Sequence, residues 1–194
     1  MPILLTAGCS IVLTPSAEDT AVPGFAPCPL WSAPYNRWPL QPPPDCLVAT
    51  GYTTGHVTPD MSMTDQFGDR VSLWQFYGDV VLIEVTDTWS GHLGGRWTAL
   101  DDIQSRYGDR GFQFLTLIVA GDVSSPPDVD DLRQWASALG VRTPVLADDE
   151  RHGAELAPNS AYPTHILIDR RMRFRSIGVL EENLEVALGS MLNE

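Results

Sequence analysis

Short apolar runs alternate with amphipathic segments from about residue 60 to residue 194. Residues 80–85, VVLIEV, and 112–120, FQFLTLIVA, are nearly continuous apolar runs of strand length. Such runs are typical of strands that are buried on both faces of a sheet. Between them, apolar residues recur at helical spacing from Trp97 to Tyr107. The pattern therefore predicts a strand–helix–strand unit.

Further elements flank this unit. Alternating apolar residues on both sides of an Asp/Gly turn predict a β-hairpin over residues 61–73. An apolar stripe at 132–139 predicts a second helix, capped by Asp128 or Asp130. The later pattern predicts a short strand at 144–147, one or two helical turns at 151–157, a hairpin over 164–177 and a helix over 184–191. The resulting order is ββ-βαβαβ-ββα, an α/β fold with a central mixed sheet flanked by helices.

A proline-rich segment, residues 10–54, precedes this domain and is here called the arm. Its prolines exclude a regular helix or a central strand. Trp31, Tyr35 and Trp38 argue against full disorder, because disordered linkers usually lack aromatic residues. Cys28 and Cys46 bracket these aromatics. In an exported protein we expect them to form a disulfide, closing a loop of roughly 18 residues that contributes about 3 kcal/mol. The alternative is two unpaired thiols in a cytosolic tail.

Residues 3–8, ILLTAG, followed by Cys9, resemble the lipobox of bacterial lipoproteins. The resemblance implies lipidation of Cys9 and a membrane-anchored protein of the cell envelope or periplasm. Two features depart from the pattern, because Thr6 stands where Leu is usual and no basic residue precedes the run. The alternative is an N-terminus with an incidental cysteine. Three regions result: a signal remnant at 1–9, the arm at 10–54 and the domain at 55–194.

The net charge excludes nucleic-acid binding, and the spacing of the histidines argues against a metal site. The chain carries 12 basic and 25 acidic residues, a formal net charge of -13, and it contains no lysine. Such a field repels phosphate backbones, so nucleic-acid binding is excluded. No apolar run reaches the roughly 18 residues of a transmembrane helix. The four histidines show no ligand spacing, so we predict no metal or other cofactor.

Three segments give residues 55–194 a resemblance to the thioredoxin-like redoxins of the TlpA/AhpC-TSA type. They are Trp89 at the start of the predicted first helix, the phrase DQFGDRVSL at 65–73, and Tyr-Pro-Thr at 162–164 before the strand HILID. The resemblance implies a thioredoxin-like fold with an N-terminal hairpin extension. It also implies a cis peptide bond before Pro163, facing the active site.

The resemblance further implies a reactive Cys-x-x-Cys pair on the first helical turn, but those positions hold Ser90 and Leu93. Because disulfide exchange requires an attacking thiolate, we predict that this activity is lost. Glu84 matches the buried acid of the family and has no thiol to deprotonate. We expect its carboxyl to be hydrogen-bonded, ion-paired or partly protonated. Glycines at 91, 94 and 95 predict a helix that begins at Arg96 or later.

The leading functional hypothesis is a groove that binds an unknown protein or peptide segment, because redoxins bind extended chains beside their cis-proline. The residues expected to line it are Trp89, Ser90, His92, Tyr162, Pro163 and Thr164. One alternative is an oxidoreductase that uses Cys28 and Cys46 of the arm, and another is a purely structural component. A hydrolytic site built on Ser90 and His92 is disfavoured, because side chains two residues apart diverge on a helix.

Overall fold

The computed structural model describes Cys28 and residues 30–89, 96–121, 126–157, 159 and 161–194, with only the backbone for 96–99. The strands are β1 (Ser62–Asp65), β2 (Arg70–Ser72), β3 (Val80–Thr86), β4 (Phe112–Ile118), β5 (Val145–Ala147), β6 (Thr164–Ile168) and β7 (Phe174–Ile177). The helices are α1 (Arg96–Tyr107), α2 (Val129–Leu139), α3 (Gly153–Leu156) and α4 (Leu184–Met191). Their order is the one predicted from the hydrophobic pattern.

Local chemistry explains where two of the helices begin and end. Asp128 caps α2, because its carboxylate accepts hydrogen bonds from the backbone N–H groups of Asp130 and Asp131. Gly140 ends α2 in the left-handed conformation, which glycine adopts at little cost. Helix α1 ends at Tyr107 and passes through a 3₁₀ turn to Gly111, which is also left-handed. The helix is described from Arg96 onward. The glycines at 91, 94 and 95, from which a late start is predicted, lie outside the described residues.

The seven strands form one mixed sheet in the order β2-β1-β5-β4-β3-β6-β7. Strands β3, β4 and β5 are parallel, and β6 runs antiparallel to β3. The register pairs Val85 of β3 with Thr164 of β6. The C-terminal ends of β3 and β4 therefore meet the N-terminal end of β6 at one end of the sheet.

The two faces of the sheet are covered differently. Helices α1, α2 and α4 pack on one face through apolar residues such as Leu100, Leu132 and Leu188. The other face is covered by α3, by a 3₁₀ turn and its flanks over 73–77, and by aromatic residues of the arm. No helix in the described part of the chain is long and apolar enough to span a membrane.

The described part of the arm is docked on the domain by polar contacts. The indole N–H of Trp31 donates to Asp60 and Ser72, each at 3.0 Å. The indole N–H of Trp38 donates to Asp65 at 2.7 Å. These contacts fix this part of the arm on the domain.

The amide of Gln75 completes the docking site, because it is fully buried and exchanges hydrogen bonds with Asn36 in both directions. It also donates to the carbonyl of Pro39 at 2.9 Å. Cys28 and Cys46 form a disulfide with their Cα atoms 5.2 Å apart, so the predicted pair is bonded. The residues that dock the arm through these contacts lie between the two cysteines.

Candidate functional site

The candidate site lies at the end of the sheet where β3 stops and β6 begins. The loop after β3 is fixed to the loop after β4, because Thr88 donates hydrogen bonds to the carbonyls of Ala120 and Gly121. The carboxylate of Asp87 accepts a hydrogen bond from the backbone N–H of Trp89 at 3.1 Å. Asp87 is buried, whereas 51% of Trp89 is exposed. The loop therefore holds a large aromatic side chain partly in solvent.

Tyr162, Pro163 and Thr164 lie at the same end of the sheet and are half-buried. The peptide bond between Tyr162 and Pro163 is cis, as the resemblance to the redoxins implies. The hydroxyl of Thr164 donates to the carbonyl of Ala161 at 2.5 Å, which fixes the turn before β6. Four of the predicted groove residues therefore share one end of the sheet. Ser90, His92 and Leu93 lie outside the described residues, as does Cys9.

Glu84 forms a buried pair with His165 beneath this surface. The two residues are opposite each other on β3 and β6, and Nε2 of His165 is 3.0 Å from Oε2 of Glu84. Glu84 is fully buried and His165 is 2% exposed. The expectation that the carboxyl of Glu84 is hydrogen-bonded is confirmed. The sequence alone does not identify His165 as its partner, although a histidine that interrupts an apolar strand indicates that a polar group lies near it.

A row of polar side chains crosses three strands at this level. Glu84 lies between Thr116 of β4 and His165 of β6 in the register, so the three side chains share one face of the sheet. Within the described part of the chain, Oε1 of Glu84 and the hydroxyls of Thr86 and Thr116 have no hydrogen-bond partner. The row joins a carboxyl and an imidazole by a hydrogen bond, but it contains no sulfur for redox chemistry.

Acidic groups also lie at the neighbouring strand end. Burial raises the pKa of Asp148, at the end of β5, although backbone N–H groups of Gly153 and His152 oppose the shift by donating to its carboxylate. Among the described residues no group of three or more His, Cys, Asp or Glu side chains is placed to hold a metal ion. The histidines at 56, 152 and 165 instead make hydrogen bonds to Thr53, Tyr52 and Glu84.

Comparison with known proteins gives concordant results. The sequence model of the AhpC/TSA family matches residues 54–177. The thioredoxin-like protein YneN of Bacillus subtilis is 25% identical over 129 residues, which cover 66% of this chain and 73% of that protein.

Two solved structures share the fold. A thiol:disulfide interchange protein DsbE from Chlorobium tepidum has a TM-score of 0.60 at 21% identity, covering 72% of this chain and 98% of that one. The thioredoxin domain of a Bacteroides vulgatus thiol-disulfide oxidoreductase has a TM-score of 0.58 at 18% identity, covering 73% of this chain and 99% of that one. At these identities the structural likeness establishes a thioredoxin-like fold.

Proposed function

Because the chain belongs to the AhpC/TSA family, we propose that it is a member that has lost thiol–disulfide exchange and binds a segment of another protein in the bacterial cell envelope. The proposal rests on which residues occupy the positions of the family's active site. The sequence places Ser90 and Leu93 where the family has its cysteines, and the buried Glu84 is engaged by His165. Two of the three cysteines are bonded to each other in the arm.

The exposed surface of the site supports binding. Trp89 is a large, half-exposed side chain on a fixed loop, at the same end of the sheet as the half-buried residues 162–164. Tryptophan is enriched among the residues that dominate binding energy at protein interfaces. Extended chains are commonly recognised through backbone hydrogen bonds and side-chain pockets, and a segment held in this way could lie at this end of the sheet.

The disulfide supports the proposed location. Structural disulfides persist in oxidising compartments and are rare in the cytosol. The bond between Cys28 and Cys46 therefore favours export, and export is the condition under which Cys9 would be lipidated. We expect metabolic labelling with palmitate to mark the full chain in a bacterial host and to fail for Cys9→Ser. Labelling that persists in the variant would remove the lipoprotein part of the proposal.

The loss of exchange is tested by insulin reduction with dithiothreitol. We expect the full chain to give the buffer rate, because a serine hydroxyl does not replace a thiolate in exchange with a disulfide. An accelerated rate that disappears in the Cys28→Ser/Cys46→Ser variant would overturn this and favour an oxidoreductase that works through the arm. The contacts of Trp31 and Trp38 argue against that second function, because they fix the arm on Asp60, Ser72 and Asp65 rather than at Trp89.

The binding part is tested by photocrosslinking in cells. A photoreactive phenylalanine analogue replaces Trp89 in one variant and Val186, which is 78% exposed on α4, in the control. We expect a discrete crosslinked protein at position 89 that is absent at position 186. The same products at both positions, or none at position 89, would contradict binding at this end of the sheet.

A further inference from the structure

A cleft lined by arginines lies at the end of the sheet opposite the candidate site, beside the turn that joins β6 to β7. Its volume is about 280 Å³, and Arg170, Arg171, Arg173 and Arg175 line it. Strand β6 ends here at Ile168, opposite Val81 near the start of β3. The cleft is therefore separated from Trp89 and residues 162–164 by the length of the central strands.

The cleft is a local positive region on an acidic protein. Four of the 12 basic residues of the chain line it, together with only two of the 25 acidic residues, Asp169 and Glu194. The whole chain carries a formal net charge of -13. A concentration of one sign of charge in a concave site raises the local concentration of counter-ions.

One wall of the cleft is fixed by main-chain contacts. The guanidinium of Arg170 donates to the carbonyls of Gly78, Gly111 and Arg110 at 2.8, 3.3 and 3.0 Å. The carboxylate of Asp169 accepts the backbone N–H groups of Arg171 and Arg173 and so fixes the turn. The arginines are thus presented from a rigid segment.

A carboxylate already occupies the cleft. Nη1 and Nη2 of Arg175 donate to the two carboxylate oxygens of Glu194 at 2.9 and 3.0 Å. This bidentate geometry is the one by which arginine recognises carboxylates and phosphates. Both side chains remain partly exposed, so a ligand from solution can compete for the same donors.

Glu194 does not engage every arginine of the cleft, although Nη1 of Arg175 also lies 3.7 Å from Oδ2 of Asp169. Arg173 uses Nη1 for the carbonyl of Gly55. Arg171 also lines the cleft, and its side chain is exposed. A phosphate group has an additional acceptor oxygen and more charge than a carboxylate, so it fits a cleft lined by several arginines better.

We propose that this cleft binds a phosphate-class anion, which displaces the side chain of Glu194 from Arg175. The ligand is either a soluble phosphate or phosphate monoester, or the phosphate of a lipid headgroup. The proposal does not depend on the function assigned to the Trp89 end of the sheet.

Calorimetric titration of the full chain with inorganic phosphate tests the site. We expect weak binding that Glu194→Gln strengthens by about fivefold, because the competing charge is removed. Arg171→Gln and Arg175→Gln should each weaken binding by about tenfold. Arg133→Gln on α2, an exposed arginine that pairs with Asp130, is the control and should leave binding unchanged.

Equal affinities in all variants, or a loss in Arg133→Gln as large as in Arg175→Gln, would overturn the proposal. Sedimentation with vesicles separates the two sources of phosphate. Binding to phosphatidylglycerol but not phosphatidylcholine vesicles, lost in Arg175→Gln, assigns a lipid headgroup. Phosphate binding without vesicle binding assigns a soluble ligand, and failure to bind either probe rules the site out.

Discussion

At the scale of single residues, Glu84 and His165 are the side chains that most need explanation. A carboxyl with one oxygen unpartnered among the described residues lies fully buried in the sheet, hydrogen-bonded to a buried imidazole. Burying such a pair costs desolvation energy that the mutual attraction offsets only in part. The intact pair therefore stabilises the fold only weakly. Removing either member is nevertheless destabilising, because the other then lies buried without its partner.

We expect His165→Leu to lower the free energy of unfolding by about 3–5 kcal/mol, because it leaves the Glu84 carboxyl buried without its partner. The double variant Glu84→Leu/His165→Leu should recover most of this loss, since two apolar side chains of similar volume replace the pair. Urea unfolding of both variants measures the difference. Thr116→Val, in the same row, removes a hydroxyl without a described partner and should not destabilise. A double variant no more stable than the single one would contradict this account.

The sequence identifies one member of the pair and misses the other. Glu84 stands out because it interrupts an apolar run, and the family resemblance predicts its burial. His165 is 81 positions away, and its role depends on the register between β3 and β6. A hydrophobic pattern predicts which face of a strand is buried, but not which residue lies opposite on the next strand.

At the scale of elements, strands, helices and the disulfide of the arm could be predicted, but the docking of the arm on the domain could not. The pattern predicts strands at 80–85 and 164–168, and the structure has β3 at Val80–Thr86 and β6 at Thr164–Ile168. These elements bury apolar residues at a regular period. The arm docks instead through indole N–H groups and the Asn36 amide, which follow no period. Its prolines indicate only what it cannot form.

The disulfide should keep the arm docked on the folded domain. It should also reduce the conformational entropy of the unfolded chain. We expect Cys28→Ser/Cys46→Ser to lower the free energy of unfolding by about 3 kcal/mol. The amide of Gln41, which donates to the carbonyl of Gln75 at 2.7 Å, should lose more protection from hydrogen exchange than amides of β3 and β4. Equal loss at both places would mean that the disulfide acts only on the unfolded chain.

At the scale of the whole molecule, buried carboxyls make stability depend on pH. Burial raises the pKa of Asp60, Asp79 and Asp148 above 3.8, although hydrogen bonds oppose the shift in each case. A raised pKa means that the folded protein binds the proton more tightly than the unfolded chain. The contribution of these groups to stability therefore falls as pH rises from 3.8 through their higher folded values.

Asp79→Asn tests this dependence with little other change, because the amide oxygen can still accept the hydrogen bond from Gln113. We expect the variant to be more stable than the parent at neutral pH and to lose that advantage as pH falls toward 3.8. Urea unfolding across this range measures it. Asp109→Asn, at an exposed position, controls for removing one negative charge. A stability difference that stays constant with pH, or that Asp109→Asn reproduces, would contradict burial as the cause.

The docked arm has a consequence for self-association. The side-chain amide of Asn36 donates at 2.7 Å to the carbonyl of Arg70 on β2, one outer strand of the sheet. At the other outer strand, β7, the backbone of Phe174 exchanges hydrogen bonds with Gly55 and His56. Open strand edges are templates on which other chains add and aggregate. The residues before β1 thus contact both outer strands of the sheet. If the arm detaches from the domain, the edge of β2 becomes exposed to other molecules.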